Sequence, residues 1–191
     1  GILEVDVDVK PGTAFADAYD LNDYLLDIEN KSLTHRPDTF GVVGFAREVA
    51  AIQGNAFTTP DWLREDKVDY GEKQASDIPM PTVEIDDPNL SSRYQGVVLA
   101  GVDGSVKSPL SLQTYLARVG VRPISAVVDT TNYLMLAAGQ PLHAFDYDKL
   151  AAVNNGNVEI HVRAGRKGEK LELLDGRTIE LDESDIVIAN G

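Results

Sequence analysis

The chain has no cysteine among its 191 residues. Disulfides and thiolate metal sites are therefore excluded, and the absence fits a reducing, cytosolic setting. No apolar run approaches the roughly 20 residues of a membrane span. No basic start leads through an apolar stretch to a small-residue cleavage site, so no secretory signal is visible. HExxH, P-loop and GxSxG patterns are missing, which removes the usual signatures of zinc hydrolases, nucleotide-binding loops and serine hydrolases. Gly101–Gly104 is too short and isolated to read as a dinucleotide fingerprint. Basic residues are scarce, with 17 Lys+Arg against 31 Asp+Glu and a net charge of −14. That balance argues against a broad electrostatic grip on nucleic acid. The chain opens on Gly1 without Met, and a trimmed piece of something longer is expected.

What is present is distributed unevenly. Residues 1–90 hold 7 basic and 19 acidic residues, a net −12, whereas residues 91–191 hold 10 and 12, a net −2. The acidic half repels phosphate backbones or serves as a solubility coat; the near-neutral half can admit a phosphate locally. Hydrophobic residues make up 43%, enough for a sizeable core.

Apolar alternation predicts a strand at residues 2–8 and a short second one at Tyr24–Ile28. Asp38–Gln53 reads as a helix, with Val42, Phe45, Ala46, Val49 and Ala50 on one stripe. Asp38 or Thr39 can cap its start and Gly54 its end. His35 and Arg36 read as its entry turn. Gly41 and Gly44 inside it each cost about 1 kcal/mol relative to Ala, so close packing against another element is the expected compensation. Residues 54–81 are turn-rich and mark a boundary, with a short helical piece near Trp62 and Leu63. Strands are expected at Thr82–Ile85 and Tyr94–Gly101. Ser108-Pro109 opens a helix with Leu112, Tyr115, Leu116 and Val119 on its stripe. A further helix covers Ala126–Ala138, closed by Gly139. Strands follow at Val158–Arg163, Leu171–Leu174, Thr178–Leu181 and Asp185–Ala189, with Asp175-Gly176 as a hairpin turn. Helices on mixed, largely antiparallel sheets indicate an α+β fold.

The Ala126–Ala138 helix carries an anomaly: Asp129, Thr130, Thr131 and Asn132 are consecutive poor helix formers. Thr131 and Asn132 offer groups that both donate and accept hydrogen bonds. They form a binding surface, a plain polar face, or pins for neighbouring loops. His143 follows eleven residues after Asn132, beyond a helix stop and Pro141. A turn back would set it across a cleft from Thr131 and Asn132, where it can donate a hydrogen bond or move a proton. The alternative is a buried His tied to a carbonyl or to Asp146. Arg122 can contact a phosphate or carboxylate, or pair with Asp129 or Asp146. His161 sits in a strand, exposed or packed.

The run GVRPISAVVDTTNYLMLAAGQPLHAFDYDKL (Gly120–Leu150) closely resembles bacterial phenylalanyl-tRNA synthetase β chains. So do RPDTFGVVGFAREVAAI (Arg36–Ile52) and the trailing pattern VRAGRKGEKLELLDGRTIEL…DIVIAN, in the same order and separation. Residues 54–81 add little to the likeness. The resemblance implies residues 1–54 as the second half of a small interrupted N-terminal domain, 55–81 as a linker, and 82–191 as the N-terminal part of an α+β tRNA-editing domain. It implies an α subunit partner in an (αβ)₂ enzyme that attaches phenylalanine to tRNA(Phe). ATP and Mg²⁺ serve the whole enzyme, with no cofactor in this region. It also implies cytoplasmic location, no membrane, and contact with tRNA(Phe) through its aminoacylated 3′ end.

Editing has a physical rationale. A pocket built for phenylalanine rejects tyrosine, which only adds a hydroxyl, by no more than roughly a hundredfold. A second site must hydrolyse the mischarged ester, and it rejects phenylalanine by leaving polar groups unpaired. By resemblance, Thr131, Asn132 and His143 line that pocket. Thr131 and Asn132 would position the aminoacyl-adenosine end and its attacking water, and His143 the carbonyl or ribose region, with Arg122 as a further substrate contact. No protein nucleophile is required, because orientation and oxyanion stabilisation supply the rate. The family completes the pocket with a Gly/Ala-rich segment and a glutamate after the strand at Asp185–Ala189. The chain stops at Gly191, so an incomplete pocket and an inactive isolated chain are expected. Two other readings stand beside this one: a non-catalytic scaffold segment of the synthetase, and a stand-alone tRNA-editing relative.

Overall fold

The computed structural model describes residues 7–19, 21–66 and 79–190. The chain divides into two compact units, Gly1–Lys73 with Asp103–Ala144, and Gln74–Val102 with Phe145–Gly191. The first unit is helical among its described residues: α1 (Phe15–Ala18), α2 (Val42–Gln53), α3 (Leu110–Arg118) and α4 (Ala126–Ala138), with 3₁₀ turns at Lys31–Leu33, Pro37–Phe40 and Asp61–Leu63.

α2 starts later than the sequence pattern suggests, because Pro37–Phe40 winds as a 3₁₀ turn first. Asp38 does not cap it. Its carboxylate is gripped by the Arg36 guanidinium through two 2.9 Å bonds, which hold it below the usual carboxylate range. Arg36 also reaches Glu48 at 3.2 Å. The helix N-cap is Gly41, without a side-chain bond. The two glycines are explained by close approach, as expected. A Cβ on Gly41 would run into the backbone of Ala138 and Gly139, and one on Gly44 into the Asp38 carbonyl. Gly54 ends α2 in the left-handed region at φ 68°.

The α2 stripe does not bury itself in a packed core. Val42, Phe45, Ala46, Val49 and Ala50 line an open apolar cavity of about 1070 Å³, whose lining also includes Tyr24, Leu25, Leu26 and Ile28. The strand expected at Tyr24–Ile28 does not form, and neither does that at Tyr94–Gly101. A strand exists only through its ladder partners, and neither segment has one among the described residues. The strand expected at residues 2–8 lies outside the described residues as far as Asp6; Val7 and Asp8 are not in a strand.

α3 and α4 pack on each other around Leu116, which is fully buried and contributes about 2 kcal/mol. Tyr115 meets Tyr133 edge-on, ring centroids 5.3 Å apart. Ser108 does not cap α3; its side chain turns toward α4 instead.

The second unit holds β1 (Thr82–Ile85), α5 (Tyr147–Val153), β2 (Glu159–Ala164), β3 (Lys170–Glu172), β4 (Thr178–Glu180) and β5 (Ile186–Ala189). β2 is central, parallel to β1 and antiparallel to β5, with Glu84 opposite His161 and Val162 opposite Ile188. Strand alternation buries Ile160 and Val162 and sends His161 and Arg163 to the other face. β3 and β4 form a separate antiparallel pair, turned by Gly176 at φ 82°. Arg163 forks onto Glu169 at 2.7 and 2.9 Å. α5 was not evident from the pattern; Asp146 starts it by accepting the Lys149 N–H at 3.1 Å. The fold is α+β with mixed sheets, as expected.

Candidate functional site

α4 is the element on which the candidate residues converge in sequence, and its boundaries follow from its ends. Ser125 stands at the N-cap, its hydroxyl oxygen 3.5 Å from the Val128 nitrogen. Gly139 adopts φ 74° and returns its N–H to the Met135 carbonyl at 2.8 Å. Left-handed backbone at that position favours glycine.

The four poor helix formers divide into distinct roles. Asp129 is only 1% exposed and faces inward. Its Oδ2 accepts the Ser108 hydroxyl at 2.6 Å and its Oδ1 the Ile124 N–H at 2.8 Å. It therefore acts as a pin for neighbouring loops, and it pairs with Ser108 rather than with Arg122. The Thr130 hydroxyl donates to the Ala126 carbonyl and that of Thr131 to Val128, both at 2.7 Å. Because the Thr131 proton points into the helix, its oxygen presents lone pairs outward and acts as an acceptor. Asn132, half-buried, makes no side-chain hydrogen bond to a described residue. Its amide keeps two donors and an acceptor for a ligand.

Thr131 and Asn132 stand side by side in the middle of α4. Arg122 is exposed in the segment entering the helix, and His143 is exposed in the segment leaving it. Along the chain, Arg122 precedes the first residue of this 13-residue helix by four positions and His143 follows its last by five. All four belong to the first unit. None lines the large apolar cavity of that unit, so that cavity and the candidate site are separate features. His161, in the second unit, is half-buried on β2 and lies 3.5 Å from Glu159, 3.7 Å from Glu84 and 3.9 Å from Asp86. Among the described residues no group of three His, Asp or Glu is arranged to hold a metal ion, and no helix is long and apolar enough to cross a membrane.

Pattern reasoning missed the Ser108–Asp129 pair. Ser before Pro reads as a helix cap, and the one available signal was the Asp itself, placed inside an otherwise apolar segment.

Residues 90–191 match the family described as the B3/4 domain. Over its whole length the chain is 40% identical to the phenylalanine–tRNA ligase β subunit of Carboxydothermus hydrogenoformans. It is 42% identical to that of Moorella thermoacetica and 36% identical to that of Bordetella pertussis. In each case all of this chain is covered and 22% of the relative, so the chain spans about a fifth of the length of these proteins.

Proposed function

Because the chain belongs to the B3/4 domain family, we propose that it is the part of a phenylalanine–tRNA ligase β subunit that bears part of a site hydrolysing mischarged tyrosyl-tRNA(Phe). The observation that carries this reading is the adjacent acceptor and amide of Thr131 and Asn132 at mid-helix, within a chain similar throughout to such β subunits. Local charge supports it. Residues 103–144 hold three basic and two acidic residues, against 7 and 15 in residues 1–73. The α3–α4 segment is the part of its unit that tolerates an anionic 3′ end.

In this mechanism the Thr131 oxygen accepts from the substrate or from the attacking water, and the Asn132 amide donates toward the ester. His143, in the segment leaving α4, holds the carbonyl or ribose, and Arg122, in the segment entering it, the phosphate. The aminoacyl ester is already activated, so oriented water and hydrogen bonds to the developing oxyanion suffice. Residues 1–54, 55–81 and 82–191 correspond to the end of a preceding small domain, a linker and the N-terminal part of the editing domain. The α subunit completes an (αβ)₂ enzyme in the cytoplasm and uses ATP and Mg²⁺ for attachment of phenylalanine.

The test is deacylation of tyrosyl-tRNA(Phe) by the assembled αβ enzyme. Asn132→Ala is expected to slow it by about a hundredfold, the usual loss on removing one preorganised donor, and His143→Ala by at least about tenfold. Phenylalanine attachment should stay near wild type. Hydrolysis unaffected by either substitution would favour the non-catalytic scaffold.

A further inference from the structure

We infer that Asp129 is a positioning residue of the proposed site: its buried carboxylate locks the Arg122–Ser125 approach and the Ser108 loop onto α4, and so holds Arg122 and the Thr131–Asn132 pair in one frame. The inference rests on the editing reading for its activity readout.

The geometry is specific. Asp129 and Ser108 are 1% and 5% exposed, and a carboxylate taken so far out of water persists only when hydrogen-bonded. Each oxygen has its own partner, Ser108 on Oδ2 and the Ile124 N–H on Oδ1. Ile124 is two residues from Arg122, and the intervening Pro123 has a fixed φ and no N–H, so a displacement of Ile124 carries to Arg122. A second tie runs in parallel, from the Ala126 N–H to the Val106 carbonyl at 2.8 Å. The Ser108 carbonyl is itself held by the Gln113 side chain at 2.7 Å. Two bridges on either side of Ser125 thus fasten the helix entrance to one loop. From this anchor the next turn of α4 presents Thr131 and Asn132. A poor helix former is retained there because its side chain organises the segment outside the helix.

The chemistry of the substitutions separates positioning from mere support. Asp129→Asn keeps a carbonyl oxygen for Ile124 and offers an amide N–H to the Ser108 oxygen, which accepts as well as donates. Asp129→Ala loses both bonds and Ser108→Ala loses one. In the assembled αβ enzyme, tyrosyl-tRNA(Phe) deacylation should remain within about threefold for Asp129→Asn. It should fall several-fold for Ser108→Ala and at least tenfold for Asp129→Ala, with phenylalanine attachment unchanged. Arg122→Ala should add little in the Asp129→Ala background, because the two act through one arrangement. A purely structural role predicts additive losses instead.

Hydrogen exchange at the Ile124 amide gives a readout independent of activity. It should be slow in wild type and in Asp129→Asn and at least tenfold faster in Asp129→Ala. If Asp129→Ala fails to assemble, Ser108→Ala carries the same comparisons. Wild-type deacylation in the alanine variants, additivity with Arg122→Ala, or unchanged Ile124 exchange would overturn the inference. If instead Asn132→Ala leaves deacylation intact while Ile124 exchange accelerates as stated, the lock stands and the editing reading falls.

Discussion

Asp129 in the first unit ties down a loop 21 residues away, Glu169 in the second ties residues six and three positions before it, and they do it with different donors. Asp129 is sealed from solvent and held by a hydroxyl and a backbone N–H. The Glu169 side chain is 29% exposed and takes the Arg163 fork as well as the Arg166 N–H. The guanidinium bonds, then that backbone bond, pull the Glu169 carboxyl down to about 2. An ion pair near water responds to pH and salt. A buried carboxylate with neutral donors is shielded from salt, and every donor it loses leaves an unpaired polar atom. The rigid lock stands at the entrance to the candidate site, and the tunable one fastens the β3–β4 hairpin region.

The contrast is broken most severely at the far end of α4. Gly139 has φ 74°, and a Cβ there would lie 2.6 Å from the Pro37 carbonyl oxygen. Gly139→Ala should therefore lower stability by about 3 kcal/mol, read from denaturant unfolding followed through Trp62. Next comes Ser108→Ala, which strips Oδ2 of Asp129 of its donor and should cost about 2 kcal/mol, nearly independent of salt. Gly120→Ala sharpens the comparison with Gly139. It shares a positive φ, 79°, but has open space around it, so only about 1 kcal/mol is expected.

The smallest effect is expected from Glu169→Gln, and it shrinks further as the pH falls. The folded group titrates at about 2 against 4.5 for a free carboxyl. Its contribution is complete above about 4.5, and it is lost as pH falls toward 2 because the unfolded chain takes up the proton first. Glu169→Gln should flatten the stability curve across that window, and added salt should flatten it in the wild type.

These differences mirror what was legible beforehand. The end of α4 was readable because its signal is local, Gly139 after the apolar run. β1 was readable from its β-branched pattern. Tyr24–Ile28 and residues 94–101 carry a similar pattern without a ladder partner, and partners are not written in the segment itself. The α2 stripe was correctly periodic yet faces an open cavity, since periodicity tells which residues share a face and not what covers it. The Ser108–Asp129 pair spans 21 residues and is purely tertiary. Of the candidate site, residue types and their order were legible, whereas the inward turn of the Thr131 hydroxyl was not.

We propose that α4 carries ester-hydrolysing machinery. The most direct measurement is the rate at which the assembled αβ enzyme strips tyrosine from tRNA(Phe), compared between wild type and Asn132→Ala at equal phenylalanine attachment. A loss of about a hundredfold is predicted. Equal rates would contradict it.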